Sequence, residues 1–260
     1  MRRRSVWITA LGALALGIGV LASACGTVPE TGRSQLQLVS PAQEAEMGAD
    51  AYKEILGKAK VSTDPNVNAL VQRVGTRIAA ATGRKDLAWE FKVIDDPKTA
   101  NAFALPGGKV AVYTGILPVT RDEAGLAAVM GHEVAHVLAR HSAERVSRQL
   151  ALESGAQLIG TVIGVSPQLT QMGGSILVSA IQLPWGRAQE SEADHLGLIY
   201  MAKAGYDPRA ARDLWARMAQ ASQSGSRPPE FLSTHPSEET RIRQIEGWLP
   251  EALKYYSPPR

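Results

Sequence analysis

The chain has 260 residues, 45% of them hydrophobic and 20% charged, a length that suits one domain with a full core and leaves too little for two. Its 28 Lys plus Arg stand against 25 Asp plus Glu, and the whole excess is Arg2, Arg3 and Arg4. Without residues 1–24 the two signs balance at 25 each, which leaves no electrostatic basis for binding nucleic acid.

Residues 1–24 begin Met1-Arg2-Arg3-Arg4 and continue without charge from Ser5 to Ala24. A basic start, an apolar run and a small-residue end are the marks of an export signal, although the run is also long enough for an uncleaved membrane anchor. Cys25, the only cysteine, follows Leu21-Ala22-Ser23-Ala24, which resembles the lipobox of bacterial lipoproteins with Ala22 in place of the usual Leu. Ala22-Ser23-Ala24 equally fits a soluble-export cleavage site. A lone cysteine in an exported chain has no disulfide partner, so lipidation of Cys25 is the expected use, and Gly26 after it favours the outer membrane. Residues 25–39, with Gly26, Pro29 and Gly32, read as a tether, and 40–260 as the folded domain.

Ser40-Pro41-Ala42-Gln43 carries the signs of a capped helix start, and Asp64-Pro65 opens a second helix with Val67, Leu70, Val71, Val74 and Ile78 at helical spacing. From Trp89 the period changes to two through Phe91 and Val93, and Lys109–Tyr113 forms another strand after Pro106-Gly107-Gly108. That strand, through Gly108, Val110 and Val112, is the candidate for pairing with an extended peptide. A plain hairpin is the competing reading.

Thr120-Arg121-Asp122-Glu123 makes a capping box that opens a helix running to about Ser142. On it, His132-Glu133-Val134-Ala135-His136 sets two imidazoles at i and i+4 on one face, the spacing of a helix-borne zinc site. Glu133 is turned one helical step away, placed to take a proton from a metal-activated water without ligating. Apolar stretches at 158–165 and 176–183 are too short to cross a bilayer and read as a helical hairpin in the core or a cover over the cleft.

Zinc in a catalytic site needs a third protein ligand. Glu190 and Asp194 share one face of a helix that starts at Arg187 and ends near Gly205, whereas Glu192 lies roughly opposite. Glu190 is therefore the third ligand, and Asp194 sits behind it to orient a histidine or handle a proton. The metzincin pattern is excluded, because Ala139 and Ser142 occupy its Gly and His positions. His141 and His195 fall off the ligand faces and read as surface residues or residues behind the ligands.

Asn101–Gly108, Glu123–His141, Glu190–Asp194 and Ser233-Thr234-His235-Pro236 resemble, in the same order, segments of the HtpX-like, CAAX-prenyl-protease-type zinc metallopeptidases. The likeness covers nearly all of the domain and is greatest to small outer-membrane lipoprotein proteases of envelope quality control. It implies zinc on His132, His136 and Glu190, Glu133 as base and Asp194 as proton donor. It further suggests that His235 reaches the metal as a fourth ligand, takes the water position and holds the enzyme latent. Arg241 has two open readings, facing the cleft or lying on the surface of the helix that buries Ile242 and Ile245.

The expected fold is α+β and mainly α, a gluzincin-type zincin with a small sheet beside the active-site helix. The expected function is zinc-dependent endopeptidase action on unfolded or misassembled envelope and outer-membrane polypeptides, from a lipid anchor on the periplasmic face of the outer membrane. The alternative is a non-catalytic chaperone or assembly lipoprotein that binds polypeptide on the same fold.

Overall fold

The computed structural model describes residues 25–162, 177–179, 182–223, 231–235 and 239–258. The expected export signal, the whole connection between the two apolar stretches and parts of both stretches lie outside the described residues. No helix among the described residues is long and apolar enough to cross a membrane.

The described residues open with a hairpin, β1 (Cys25–Thr27) antiparallel to β2 (Ser34–Leu36). Helix α1 (Pro41–Lys58) opens on Ser40, whose hydroxyl accepts from the Gln43 amide while the Gln43 side chain accepts from the Ser40 amide. Helix α2 (Pro65–Thr82) is capped by Asp64 and stops at Gly83, which takes the left-handed φ of 71° that costs glycine least. A mixed sheet follows, of β3 (Glu90–Ile94), β4 (Ala102–Leu105) and β5 (Lys109–Tyr113) in the order β3-β5-β4, with β3 parallel and β4 antiparallel to β5.

After a short helix α3 (Leu117–Thr120) comes α4 (Glu123–Leu138), the centre of the molecule, buried at every position from Gly125 to Leu138. Asp122, not Thr120, caps it, through a bond from the Gly125 amide; Thr120 closes α3 instead. The helix also ends sooner than its sequence pattern predicts. Arg140 turns the chain at φ 54°, and a separate helix α5 (His141–Val162) begins there. The Arg140 guanidinium bonds Glu44, Gln37 and the Val39 carbonyl, which together hold this unfavourable backbone in place. Helices α6 (Arg187–Lys203), α7 (Arg209–Gln223), the short α8 (Phe231–Thr234) and α9 (Glu239–Ala252) complete the described fold, which is mainly helical as expected.

Helices α4 and α6 meet backbone to backbone. A Cβ on Gly197 would stand 2.9 Å from the His132 amide nitrogen, and one on Gly131 2.9 Å from the Gly197 carbonyl oxygen. Only glycine allows this approach, which brings the two faces carrying His132 and Glu190 together.

The segment expected to be a tether is folded from residue 25 to 36. Val28 is fully buried in the main core, and Arg33 bonds Glu144 of α5 and Glu192 of α6 at 2.9 and 2.7 Å. Burial raises the Glu192 carboxyl, but bonds from His141, Thr31 and Arg33 outweigh it and bring the group down to about 2.

Two outcomes follow from this packing. Gly197→Ala forces a methyl group into backbone that cannot retreat, and urea unfolding should show a loss of about 1–3 kcal/mol. Because the folded protein holds Glu192 below its ordinary value of 4.5, its contribution is complete above that pH and disappears as pH falls toward 2. Acid titration of Glu192→Gln should therefore show lower stability than wild type at neutral pH and a gap that narrows between about pH 5 and 2.

Candidate metal centre

Helix α4 presents His132 and His136 one turn apart, and α6 presents Glu190 and Asp194 one turn apart, across the glycine contact. His235, directly after α8, enters from a third side with its ring stacked on Phe231. All are buried. The Nε2 atoms of His132 and His136 are 3.1 Å apart, His235 Nδ1 is 3.0 Å from His132 Nε2, and Glu190 Oε1 is 3.3 Å from His136 Nε2 and 2.9 Å from His235 Nδ1. Ligands of zinc at about 2.0–2.2 Å stand roughly 3.3–3.5 Å from one another at tetrahedral angles, so the four donors fit one ion. One donor atom from each of these four residues lies within 4.8 Å of the others.

The charges agree with the distances. Glu190 and Asp194 place two buried carboxylates against Arg241 and the donor imidazoles, and a bound cation would meet the same negative charge that otherwise draws a proton onto His132. The His132 imidazole is favoured in its charged form, because Glu190 and Asp194 outweigh burial and raise it to about 9. Burial, with His132 and His141 alongside, holds His136 well below its ordinary value and therefore neutral, the form that ligates. Glu190 is held ionised: burial opposes that, and His235, Arg241 and His132 overcome it.

Glu133 faces the same space without joining the donor set. Its Oε2 accepts from the Ala104 amide of β4 at 3.2 Å, while Oε1 makes no hydrogen bond among the described residues and has His235 Nε2 3.3 Å away. Burial raises its carboxyl and His235 and His132 pull the other way, with burial prevailing. A cleft of about 480 Å³ opens here, lined by Ala104, Tyr113, Glu133, Gln182, Trp185 and His235.

Asp194 lies behind the donors as expected, its Oδ1 2.9 Å from His132 Nδ1. Other expectations fail. Gly108, Val110 and Val112 belong to the wrong strand: β5 is central, with β3 and β4 on its two edges, and the Gly108 carbonyl accepts from Glu90. The edge beside Glu133 is β4. Arg241 is not a surface residue. It bonds both Glu190 and Asp194 and lies 3.4 Å over the Trp215 ring. Ile245, one turn further on, is buried on the same side of α9, and that spacing was the signal for its inward aim. His141 is fully buried behind His136, whereas His195 bonds Glu251 and stacks on Trp248 away from the site.

A helix bearing paired imidazoles, a second helix supplying the acid and a carboxyl beside them that stays outside the donor set define a zincin metallopeptidase. The profile of Peptidase family M48 matches residues 65–249, and the chain belongs to that family. It is 43% identical over 254 residues to a Schizosaccharomyces pombe protein named mitochondrial metalloendopeptidase OMA1, covering 96% of this chain and 74% of the relative. Over 250 residues it is 26% identical to the beta-barrel assembly-enhancing protease of Escherichia coli, covering 92% of this chain and 51% of the relative. A Vibrio cholerae protein named putative beta-barrel assembly-enhancing protease is 33% identical over 220 residues, 80% of this chain and 44% of the relative. The chain thus spans about half the length of these bacterial relatives. It is a zinc metalloendopeptidase, and its substrates are polypeptides.

Arg241→Met leaves Glu190 and Asp194 buried without their cation. Urea titration of the metal-free protein should show a loss of about 3–5 kcal/mol, the usual consequence of removing one member of a buried ion pair.

Proposed function

We propose that the protein is a lipid-anchored endopeptidase that degrades unfolded or misassembled proteins of the bacterial envelope. The observation that carries its chemistry is the Glu133 carboxyl, whose Oε1 lies 3.3 Å from the His235 ring of the donor cluster and makes no hydrogen bond among the described residues. His132, His136 and Glu190 hold the zinc, which when bound supplies Lewis-acid activation of water and of the scissile carbonyl. Glu133 takes the proton from the attacking water and returns it to the leaving amine. Asp194 keeps His132 in the tautomer that turns Nε2 to the donors. An extended substrate adds to the β4 edge of the sheet, where backbone pairing makes little demand on sequence.

His235 is the fourth ligand and the inhibitory one. Its Nδ1 points into the cluster and its Nε2 toward Glu133, so the same ring fills the water position and blocks the base. The name of the bacterial relatives supports outer-membrane proteins as substrates. Anchoring rests on the lipobox-like Leu21–Cys25, and Gly26 after the cysteine supports the periplasmic face of the outer membrane as its destination.

Purified protein incubated with unfolded casein, with and without a chelator, tests this reading. Glu133→Gln should retain its metal by elemental analysis and lose about 10²–10⁴-fold in rate, the usual contribution of a positioned base. His235→Ala should cleave several-fold faster than wild type. Undiminished cleavage by Glu133→Gln would remove Glu133 from the mechanism. Mass spectrometry of the mature N-terminal peptide should find acyl chains on Cys25, and a free thiol there would end the anchoring proposal.

A further inference from the structure

The two histidines on α4 are backed differently. His132 Nδ1 meets a carboxylate directly, that of Asp194. His136 Nδ1 meets another imidazole, His141 Nδ1, at 2.8 Å. The far nitrogen of that ring, His141 Nε2, is 2.9 Å from Glu192 Oε2. Glu192 is held in turn by the N-terminal hairpin, accepting from Arg33 Nε at 2.7 Å and from the Thr31 hydroxyl. Arg33 is braced by a second carboxylate, that of Glu144.

Proton positions along this row follow once His136 ligates through Nε2. His136 Nε2 faces the donor cluster, so as a ligand it gives up its proton there and carries hydrogen on Nδ1. Two ring nitrogens at hydrogen-bond distance share one hydrogen, which makes His141 Nδ1 the acceptor and puts the His141 hydrogen on Nε2. A carboxylate then has to receive it, and Glu192 is there. The contact depends on the break at Arg140. In one continuous helix, residues five apart point about 140° away from each other, whereas the turn at φ 54° swings His141 back behind His136.

We propose that His141 and Glu192 are positioning residues that hold His136 in its ligating tautomer and orientation, and that Arg33 and Thr31 of the N-terminal hairpin secure the outer end of this row. The proposal rests on the zinc reading and extends it, since it makes the docked hairpin part of what sets metal affinity. Groups behind a metal-bound histidine typically contribute about 10–100-fold to affinity. The row should act in proportion to distance from the metal: His141 most, Glu192 next, Arg33 least.

The full chain is titrated with zinc against a chromophoric chelator, and the metal-free protein is followed by ¹H–¹⁵N spectra of its imidazoles. His141→Ala and Glu192→Gln should weaken zinc binding about 10–100-fold, and Arg33→Ala by less. His141→Asn keeps an oxygen near the position of Nδ1 and should recover most of the affinity, with little further loss when Glu192→Gln is added. Wild type should show His136 with hydrogen on Nδ1, and His141→Ala a mixture of tautomers. Wild-type affinity in His141→Ala would overturn the proposal. So would equal weakening in His141→Ala and His141→Asn, which would mark a merely structural residue. A wild-type protein that binds no zinc would overturn the metal reading as well, and that outcome is distinguishable from the other two.

Discussion

Two glycines in contact govern this molecule. At Gly131 and Gly197 the axes of α4 and α6 come as close as bare backbone permits, and His132, His136 and Glu190 all lie within about two turns of that point. Any side chain there would separate the helices by a methyl group or more, and a metal site tolerates only tenths of an ångström in its ligand distances. The central position of α4 has the same origin. A helix buried on all sides exposes no face to water, so its two imidazoles and Glu133 are held by packing as well as by their own bonds.

Placing so many ionisable groups in a dry interior would destabilise an ordinary domain. Here the costs offset one another. Arg241 neutralises part of the carboxylate charge, the imidazoles donate to the carboxylate oxygens, and a bound dication would take up what remains. Metal binding and folding are therefore coupled, because the donors are arranged at ligand distance by the same contacts that form the core.

The parts of this arrangement visible in sequence were those written in one helix or one turn. The i, i+4 pairs His132/His136 and Glu190/Asp194 are fixed by helical rotation alone, and the Ser40 and Asp64 caps by local hydrogen bonding. What stayed hidden depended on contacts between elements. Strand order made β4 rather than β5 the edge, and no alternation within Lys109–Tyr113 records that. The position of His141 needed a non-glycine residue at positive φ, secured by Arg140 bonds to residues about a hundred positions earlier. The hairpin at 25–36 is hidden in sequence for a similar reason, since its glycines and proline resemble a linker until Val28 and Arg33 find partners far along the chain.

That hairpin also settles a question of reach. A flexible stretch of fifteen residues would let the catalytic body roam over roughly 20 Å from its attachment point, sampling targets at many heights. A start packed onto α5 and α6 removes that leash. With an acyl chain on Cys25, the cleft would ride at a set altitude above the lipid, and which polypeptides it meets would be decided by where along their length they stand at that height.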